Sequence, residues 1–470
     1  MEGDRELDSQ TDPSTQLKMQ DPIQTPHRPT YDSQTTLNLL KRGASAAFFV
    51  QIVSAGLGLS AHLTVARLVG KAEYGIYALA LTWTSTLAVV AQMGQDLSVI
   101  RFLPGYLAKG EWGKARGLRR GVGTLVFSSS TLIALAGCSI VHFMRRGHVA
   151  EWSTTFYVAF AMLPLITLLQ QSSAVHRAFM RAVRASIYMN VTRPVYQMTT
   201  LLALYLFIRI QFTAVIAMTV SALAAAIALA TSAWHLSRSW PVVHRNVVPR
   251  YEMRQWATIG LHLSISSVVI VAGNRIDVLL LGGLTGTSQV GAYYVASQLA
   301  GVSLYGLQAI NVILAPLIAE RFDVEDLASL ELIAQRAARI GFLIAFAAGT
   351  FFAITGRRIL TLFGKGFVDA YTPLLILLFG YIVAASFGEV GFMLSMTRYQ
   401  KQLTYFALLG VAINAVGTWL LVPHLGATGA ALGAVFALVT WRFCALRFVV
   451  NRLGVNPAIV KWRPLTGANR

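Results

Sequence analysis

The sequence predicts an all-α polytopic membrane protein with about twelve transmembrane helices in two parallel repeats of six. Three observations carry this prediction: the apolar content, the length of the apolar stretches and an internal repeat. Hydrophobic residues make up 55% of the 470 residues and charged residues only 13%, about half of the share that soluble domains carry. So few charges cannot cover a water-soluble surface.

Twelve apolar stretches follow a polar start, and at roughly 20 residues each can cross the ~30 Å hydrocarbon layer as a helix. The polar start is rich in Gln, Thr, Asp and Pro, so we expect a disordered tail there. No apolar segment directly follows the first residues, and no cleaved signal peptide is expected. The predicted spans are 43–69, 75–100, 121–143, 154–175, 194–210, 213–236, 256–284, 288–318, 339–355, 372–396, 403–422 and 427–450.

The orientation follows from where Lys and Arg lie between the spans. The loops after even-numbered spans hold 19 of these residues, from Arg101 to Lys401, and the loops after odd-numbered spans hold 8. Because Lys and Arg collect in cytoplasmic loops, the even loops and both termini are predicted to be cytoplasmic.

An internal repeat relates the two halves of the chain. The segment 70–77 closes the first hairpin, and the similar segment 286–293 closes the hairpin between the seventh and eighth spans, 216 residues later. Six spans separate the copies, and an even number preserves orientation. The halves are therefore predicted to be parallel repeats about an axis along the membrane normal.

Four stretches resemble one family of membrane transporters: 66–104, 274–293, 362–364 and 414–431. In these residues the chain is similar to the polysaccharide flippases of the multidrug/oligosaccharidyl-lipid/polysaccharide exporter superfamily. The resemblance implies two six-helix bundles around a central cavity that opens alternately to each side. The absence of a clear further pair of spans beyond Val450 speaks against the branch that carries peptidoglycan precursors.

The resemblance also implies a function. The substrate would be an undecaprenyl-pyrophosphate-linked oligosaccharide, flipped from the cytoplasmic to the periplasmic leaflet of the bacterial inner membrane for exopolysaccharide or lipopolysaccharide production. Expected partners are the lipid-linked oligosaccharide, the bilayer, and a polysaccharide polymerase with its export machinery. The predicted organisation is a cytoplasmic tail (1–42), an N-terminal bundle (43–236), a cytoplasmic linker (237–255), a C-terminal bundle (256–450) and a second cytoplasmic tail (451–470).

Four arginines are candidate substrate ligands, because a guanidinium suits bidentate contact with phosphate. Arg275 lies inside the seventh span, and a helical spacing of two places it on a different face from Asp277, so it could face the cavity. Arg67, Arg101 and Arg193 lie near span ends, where snorkelling to the headgroups is the alternative. For Arg275 and Asp277 the alternative is a role in helix packing.

Three acids are candidates for coupling to Na+ or H+, since charged side chains inside spans are costly. These are Glu389, mid-span between two glycines, Asp277, and Asp96, one helical turn from Gln92 on a face that we expect water to line. Asn311 and Asn414 are expected to join helices by hydrogen bonds. His62 and His262 could titrate near neutral pH or be hydrogen-bonded helix residues. No cofactor, metal site or disulfide is expected, since Cys138 and Cys444 lie in apolar surroundings without a CxxC pattern.

Three other functions would explain parts of the sequence. The formal net charge of +19 could indicate nucleic-acid binding, but the basic residues fall between apolar runs. A membrane-bound polysaccharide polymerase needs a long extracytoplasmic loop, and the odd loops are short. An ion-coupled exporter of drugs or other small molecules in the same superfamily is the closer alternative, although the basic balance favours an anionic substrate.

Overall fold

The computed structural model describes residues 33–144, 150–179, 182–208, 211–239, 247–460 and 462. The chain separates into two units, Met1–Ser45 and Ala46–Arg470. Of the first unit, which includes the whole predicted tail at 1–42, the structure describes only the start of a helix from Ser33. The contacts below lie within the second unit.

The described residues form sixteen α-helices, with one π-helical turn at Tyr188–Thr192 and one 3-10 turn at Lys365–Ala370. The helices are α1 (Ser33–Val69), α2 (Lys71–Gln92), α3 (Gln95–Ala108), α4 (Trp112–Met144), α5 (Ala150–Ala178), α6 (Ala182–Ile187), α7 (Arg193–Phe207), α8 (Ala214–Ser239), α9 (Met253–Gly273), α10 (Ile276–Leu284), α11 (Thr287–Asp323), α12 (Leu327–Phe363), α13 (Tyr371–Ser386), α14 (Val390–Met396), α15 (Gln400–Leu425) and α16 (Ala427–Leu453).

Every predicted span coincides with one of these helices or with a broken pair. Among the described residues, nine helices are long and apolar enough to cross a membrane. The pair of α9 and α10, bent by 55° at its break, is the tenth if it is counted as one span. The other two predicted spans are α7, with 15 residues, and α11, with 37. Large apolar side chains such as Phe207 and Ile354 are exposed, as lipid-facing helices require. The all-α polytopic fold class is confirmed.

Three spans are not the unbroken helices that the sequence predicted. The second span breaks at Met93 and Gly94, which both have positive φ. The seventh breaks just before Arg275, which is the N-cap of α10, and the tenth breaks at Gly388, with φ +72°. Left-handed glycine conformations end helices because they leave the right-handed path. Helical spacing therefore does not relate Gln92 to Asp96 or fix the face of Arg275, and Glu389 is the N-cap of α14 instead of a mid-helix residue.

The two repeat segments pack against each other at the odd end of the protein, where the loops after odd-numbered spans lie. A β-carbon at Gly75 would overlap the carbonyl oxygen of Thr287, and one at Gly291 would overlap the carbonyl oxygen of Lys71. Lys71 and Thr287 are themselves 216 residues apart. The contact is thus reciprocal, as expected for two copies related by a local two-fold axis, and it closes the odd end between α2 and α11.

The opposite, even end is held by the described part of the predicted linker. Residues 248–253 lie along Gly113, Gly117 and Gly121 of α4, where added β-carbons would overlap the linker. The Arg250 amide donates to the Gly113 carbonyl at 2.9 Å, and Trp256 is fully buried. The first helix after the linker therefore starts against the N-terminal half of the chain.

An ionic group reinforces this docked segment outside the membrane-spanning part. The Lys114 ammonium lies 3.1 Å from the Glu252 carboxylate, and the Tyr106 hydroxyl donates to the same carboxylate at 3.0 Å. The hydrogen bond from Lys114 holds the pKa of Glu252 below its usual value. The pair thus favours the docked segment while Glu252 is ionised.

The C-terminal segment after α16 is also docked. The Ile459 amide donates to the Ser386 carbonyl at 3.0 Å, and Gln335 donates to the Asn456 carbonyl at 3.1 Å. Val455 and Ala458 are buried. This part of the predicted tail at 451–470 therefore packs against the break between α13 and α14.

Candidate functional site

A cluster of cationic side chains lies between helices from both halves of the chain. Arg193, at the start of α7, and Arg275, at the start of α10, both lie close enough to the His62 ring of α1 to interact with it electrostatically. All three side chains are half-buried. Arg193 and Arg275, 82 positions apart in the sequence, thus both act electrostatically on the same histidine.

Irregular backbone next to each arginine sets the direction of its side chain. Arg193 follows the π-helical turn Tyr188–Thr192 and precedes Pro194, whose fixed φ suits the first turn of a helix. Arg275 sits in the break between α9 and α10, so its direction is set by a bend and not by the helical repeat. π-helical turns and broken spans are frequent at functional sites in membrane proteins and enzymes.

The arginines retain hydrogen-bonding capacity. The Nε atom of Arg193 is buried and has no hydrogen-bond partner among the described residues. Asp277 accepts hydrogen bonds from the Tyr293 hydroxyl and from the Val278 amide. Both of these hydrogen-bond donors belong to the same half of the chain as Asp277. Arg275 acts on Asp277 electrostatically, but within the described residues the two side chains form no direct ion pair. An anion could therefore bind the cluster without displacing a protein carboxylate.

Tyrosines close the cluster towards the odd end. The Tyr74 hydroxyl lies 3.2 Å from His62 Nδ1, and the Tyr294 ring lies 5.5 Å from the His62 ring. Tyr74 and Tyr294 come from α2 and α11, the two helices that carry the reciprocal glycine contact. The His62 ring is therefore packed against aromatic rings from both halves.

A polar pocket of about 350 Å³ lies at the even end of the site. It is bounded by α2 and α3 at their break, by α5, by the chain around the π-helical turn, and by α9. Nine of its fourteen lining residues carry polar side chains. Among these are Gln92, Asp96, Gln170, Arg177, Asn190 and Ser267. Gln92 and Asp96 both line this pocket, but the helix breaks between them at Met93 and Gly94, so the predicted common helix face is wrong.

The charges in this pocket balance. Arg177 lies 3.9 Å from the Asp96 carboxylate, and the other polar residues lining the pocket are amides and hydroxyls. The pocket therefore offers donors and acceptors without a net charge, unlike the neighbouring arginines.

The other predicted site residues lie elsewhere. Arg67 is exposed at the odd end and donates to the Leu362 carbonyl at 2.9 Å, and Arg101 is exposed with its guanidinium 5.9 Å from the Phe102 ring. Glu389 is buried at the α13–α14 break, with Oε1 lacking a partner among the described residues. Within the described ranges no group of three or more His, Cys, Asp or Glu side chains could hold a metal ion, so the three predicted acids do not share one site.

Two predicted hydrogen-bonding residues have their expected roles. Asn414 donates to the Gly273 carbonyl at 3.2 Å, which joins α15 to the end of α9, and His262 bonds back to the Thr258 carbonyl at 2.7 Å. The side chain of Asn311 lies outside the described residues.

Sequence reasoning missed the amides of the pocket and the central position of His62. Gln170 and Asn190 have no motif, and only their occurrence in apolar spans, where polar side chains are costly, signals a role. The π-helical turn that presents Asn190 has no sequence signature of its own beyond the following Pro194.

Comparisons with known proteins fit this geometry. The sequence model of a family described as "Polysaccharide biosynthesis protein" matches residues 40–322, more than half of the chain. No curated protein matches the chain.

Solved structures share the whole fold at low identity. An inward-facing multidrug resistance MATE family transporter of the MOP superfamily superposes with a TM-score of 0.73 at 14% identity, covering 87% of this chain and 98% of its own. The lipid II flippase MurJ, in an inward closed conformation, gives 0.66 at 12% identity, with 88% and 87% covered. A MOP superfamily transporter from Pyrococcus furiosus gives 0.63 at 13%, with 88% and 96% covered. At such identities the likeness concerns the fold alone.

Proposed function

This chain belongs to the polysaccharide biosynthesis protein family of MOP superfamily flippases, and from that premise we propose that it flips an undecaprenyl-pyrophosphate-linked oligosaccharide across the bacterial inner membrane. Transport would proceed by alternating access of the cavity between the two halves. The observation that carries the proposal is the meeting of Arg193 and Arg275 beside His62, with the Nε atom of Arg193 unpaired.

The chemistry of the cluster suits a diphosphate. Charge-assisted hydrogen bonds from guanidinium groups to phosphate are roughly twice as strong as neutral ones. Two arginines from different halves can each contact one phosphate, so that the bound diphosphate holds the halves together. The closed odd end and the pocket at the even end support loading from the even side, which we infer to be cytoplasmic from the 19-to-8 distribution of basic residues.

The orientation can be tested with single cysteines in a variant that lacks Cys138 and Cys444. Gln211 and Glu325 are both exposed, at the odd and even ends respectively. A membrane-impermeant maleimide added to intact spheroplasts should label a cysteine at 211 and leave one at 325 unlabelled until the membrane is opened. The reverse pattern would contradict the inferred orientation.

The function is tested in cells and in liposomes. Deletion of the protein should stop production of one polysaccharide while its lipid-linked oligosaccharide accumulates in the inner leaflet. Purified protein should move that lipid across a liposome bilayer. The drug-exporter alternative predicts a different result: increased sensitivity to toxic cations on deletion, with no accumulated lipid-linked sugar.

The arginine cluster is tested by substitutions that remove the charge of the side chain or keep the charge and remove the planar guanidinium. Arg193→Gln and Arg275→Gln should each abolish most transport, and the Lys variants should keep part of it, because Lys retains the charge but not the planar fork. The double change Arg275→Gln with Asp277→Asn should not recover transport, because no ion pair joins these residues. Recovery would make Arg275 a packing residue. Thr199→Ala, on an exposed face of α7, serves as a control.

Coupling to Na+ or H+ is part of the proposal. Glu389 and Asp277 are the buried acids in the C-terminal half, and Asp96 lines the pocket. Transport into liposomes under a sodium gradient or a pH gradient, each applied alone, would identify the ion. Neutralising the responsible acid should make transport independent of that gradient.

A further inference from the structure

A polar corner joins the two halves of the chain beside the reciprocal glycine contact. Arg67, in the last turn of α1, donates from its guanidinium to the Leu362 carbonyl near the end of α12 at 2.9 Å. Lys71, the first residue of α2, has its ammonium 2.6 Å from the Asp369 carboxylate. Two cations of the N-terminal half therefore contact one short stretch of the C-terminal half.

The C-terminal side of this corner is a tight turn that its own half holds in place. Gly364 has φ +135°, a conformation that favours glycine, and it leads from α12 into the 3-10 turn Lys365–Ala370. Phe363 and Phe367, on either side of the turn's start, are buried. The turn packs on α11, α12 and α13, all from the C-terminal half. Asp369 is thus positioned by its own half while its carboxylate stays exposed.

The hydrogen bond from Arg67 satisfies a carbonyl group that has no donor within its own helix. The last four carbonyls of an α-helix lack an intrahelical donor, and Leu362 is the residue before the last one of α12. The C-terminus of a helix also carries a partial negative charge, which favours a nearby cation. Arg67 therefore stabilises the end of α12 only while the two halves are in contact.

The polar corner occurs on one side of the glycine contact. The internal repeat relates the α1–α2 corner to the α10–α11 corner, where the positions that match Arg67 and Lys71 are Gly283 and Thr287. Neither of these residues has a cationic side chain, so the same charged contacts cannot form there. The glycine contact is reciprocal between the halves, whereas the charged contacts are not.

We propose that Arg67, Lys71, Leu362 and Asp369 form a one-sided latch, which holds the odd end closed and must release before α2 and α11 can separate. Exposed ion pairs contribute little to the stability of a fold. Contacts that exist in one conformation only, however, shift the populations of the two conformations by their full free energy. In this inference Arg67 acts on the conformational equilibrium and not on substrate. The inference goes beyond the proposed function, since it holds for any substrate.

Distances between the halves test the latch without substrate. Spin labels are attached to cysteines that replace Gln211 and His424, exposed at the odd end of the N-terminal and C-terminal halves respectively. The full-length protein lacks Cys138 and Cys444 and is held in lipid nanodiscs. Double electron–electron resonance then measures the closed and open populations as short and long distances between the labels. The closed population should dominate in the otherwise unchanged protein, and a mainly open odd end would overturn the latch.

Removal of either charge should increase the open-to-closed ratio. Lys71→Gln and Asp369→Asn should each raise it about three-fold, as expected for one exposed ion pair. The double variant should raise it no further, because both substitutions remove the same contact. Lys71→Asp with Asp369→Lys should return the ratio to its starting value. Arg67→Gln removes a separate contact, so its increase of about three-fold or more should add to that of Lys71→Gln.

The matched control is Lys365→Gln. It removes one positive charge from the same turn, and Lys365 is exposed and forms no ion pair within the described ranges. Its ratio should equal that of the unsubstituted protein. Equal effects of Lys71→Gln and Lys365→Gln, or additive effects of Lys71→Gln and Asp369→Asn, would overturn the latch.

The charge exchange gives a second decision. A folded exchanged variant that stays open also overturns the latch, and if this variant does not fold, the non-additivity of the two neutral variants decides alone. All of these outcomes leave the proposed function in place, because no substrate is present in the measurement. Deleted cells that accumulate no lipid-linked oligosaccharide would overturn the proposed function and leave the latch in place.

Discussion

The N-terminal and C-terminal halves share a backbone arrangement and differ in the side chains that complete it. Three pairs of positions 216 residues apart show this: Glu73 and Gln289, Gly75 and Gly291, and Tyr77 and Tyr293. The glycines pack on each other, and Glu73 and Gln289 each accept a hydrogen bond from the first amide of the last helix in their half, at Ala214 and Ala427.

The tyrosines differ in what they contact. Tyr77 accepts a hydrogen bond from Gln197 at 2.9 Å and lies 3.1 Å from the Ser221 hydroxyl, whereas Tyr293 donates to the Asp277 carboxylate. The position that matches Asp277 in the N-terminal half is Ala61. The shared features therefore concern helix packing, and the buried acid belongs to the C-terminal half alone. This difference indicates where ion coupling is to be sought.

The largest effect is expected from adding a side-chain atom at the glycines through which the two halves touch. Gly75→Ala and Gly291→Ala each place a β-carbon on a backbone carbonyl of the other half, and overpacking costs about 1–3 kcal/mol or more. The odd end should then stay open, and transport should fall about ten-fold or further. Cysteine accessibility of the cavity from the odd side measures the opening.

A matched glycine provides the control for this experiment. Gly283, in α10, has open space where a β-carbon would stand, so Gly283→Ala should transport normally. Normal transport and unchanged accessibility in Gly75→Ala would show that the reciprocal contact does not close the cavity.

The two tyrosines should respond differently to loss of the hydroxyl. Tyr293→Phe removes the side-chain donor of the buried Asp277 carboxyl group and leaves it only the Val278 amide, which costs about 1–3 kcal/mol. Tyr77→Phe removes neutral hydrogen bonds worth about 1 kcal/mol. Thermal unfolding in detergent should therefore show the larger loss for Tyr293→Phe. Adding Asp277→Asn to Tyr293→Phe should recover part of the lost thermal stability. If the two Phe variants lower the stability equally, the proposed difference between the halves is wrong.

The helix caps should show a smaller asymmetry. Glu73 places a carboxylate at the positive end of α8, 2.7 Å from the Ala214 amide, and such an interaction is worth about 0.3–1 kcal/mol. Glu73→Gln should lower the free energy of unfolding by about this amount. Gln289→Glu should leave it unchanged or raise it slightly, because it adds the same interaction at α16. A loss of stability in Gln289→Glu would contradict the equivalence of the two caps.

The smallest expected effect is a pH dependence of the linker segment that docks on the N-terminal half. The folded-state pKa of Glu252 lies below the usual 4.5 because Lys114 donates to it. Its contribution to docking the linker is therefore complete above about pH 4.5 and is lost as the pH falls through the lowered pKa. Hydrogen exchange at the Arg250 amide should accelerate in acid, while the Ile459 amide, bonded to the Ser386 carbonyl, should not change in parallel. Glu252→Gln should abolish the difference.

The sequence predicts the spans better than it predicts the site. Apolar length identifies the twelve membrane segments because the bilayer imposes it on each segment separately. The breaks at Gly94, Arg275 and Gly388 were not predicted, because each depends on what packs there: Gly94 lies against the Gly260 carbonyl and Gly388 against the Pro457 carbonyl. The meeting of Arg193 with Arg275 is a tertiary property for the same reason. Whether Arg67 and Arg101 contact substrate remains a prediction.

The reciprocal glycine contact also limits how the amino-acid sequence can evolve. Contacts in which each copy offers the same patch to the other are typical of symmetric dimers, where one substitution appears twice across the interface. In this single chain Gly75 and Gly291 are separate codons, so a substitution at one of them alters half of the contact and leaves its counterpart unadapted. Residues such as Tyr77 and Tyr293 can acquire different partners independently, whereas this interface can be remodelled only by compensating changes in both halves.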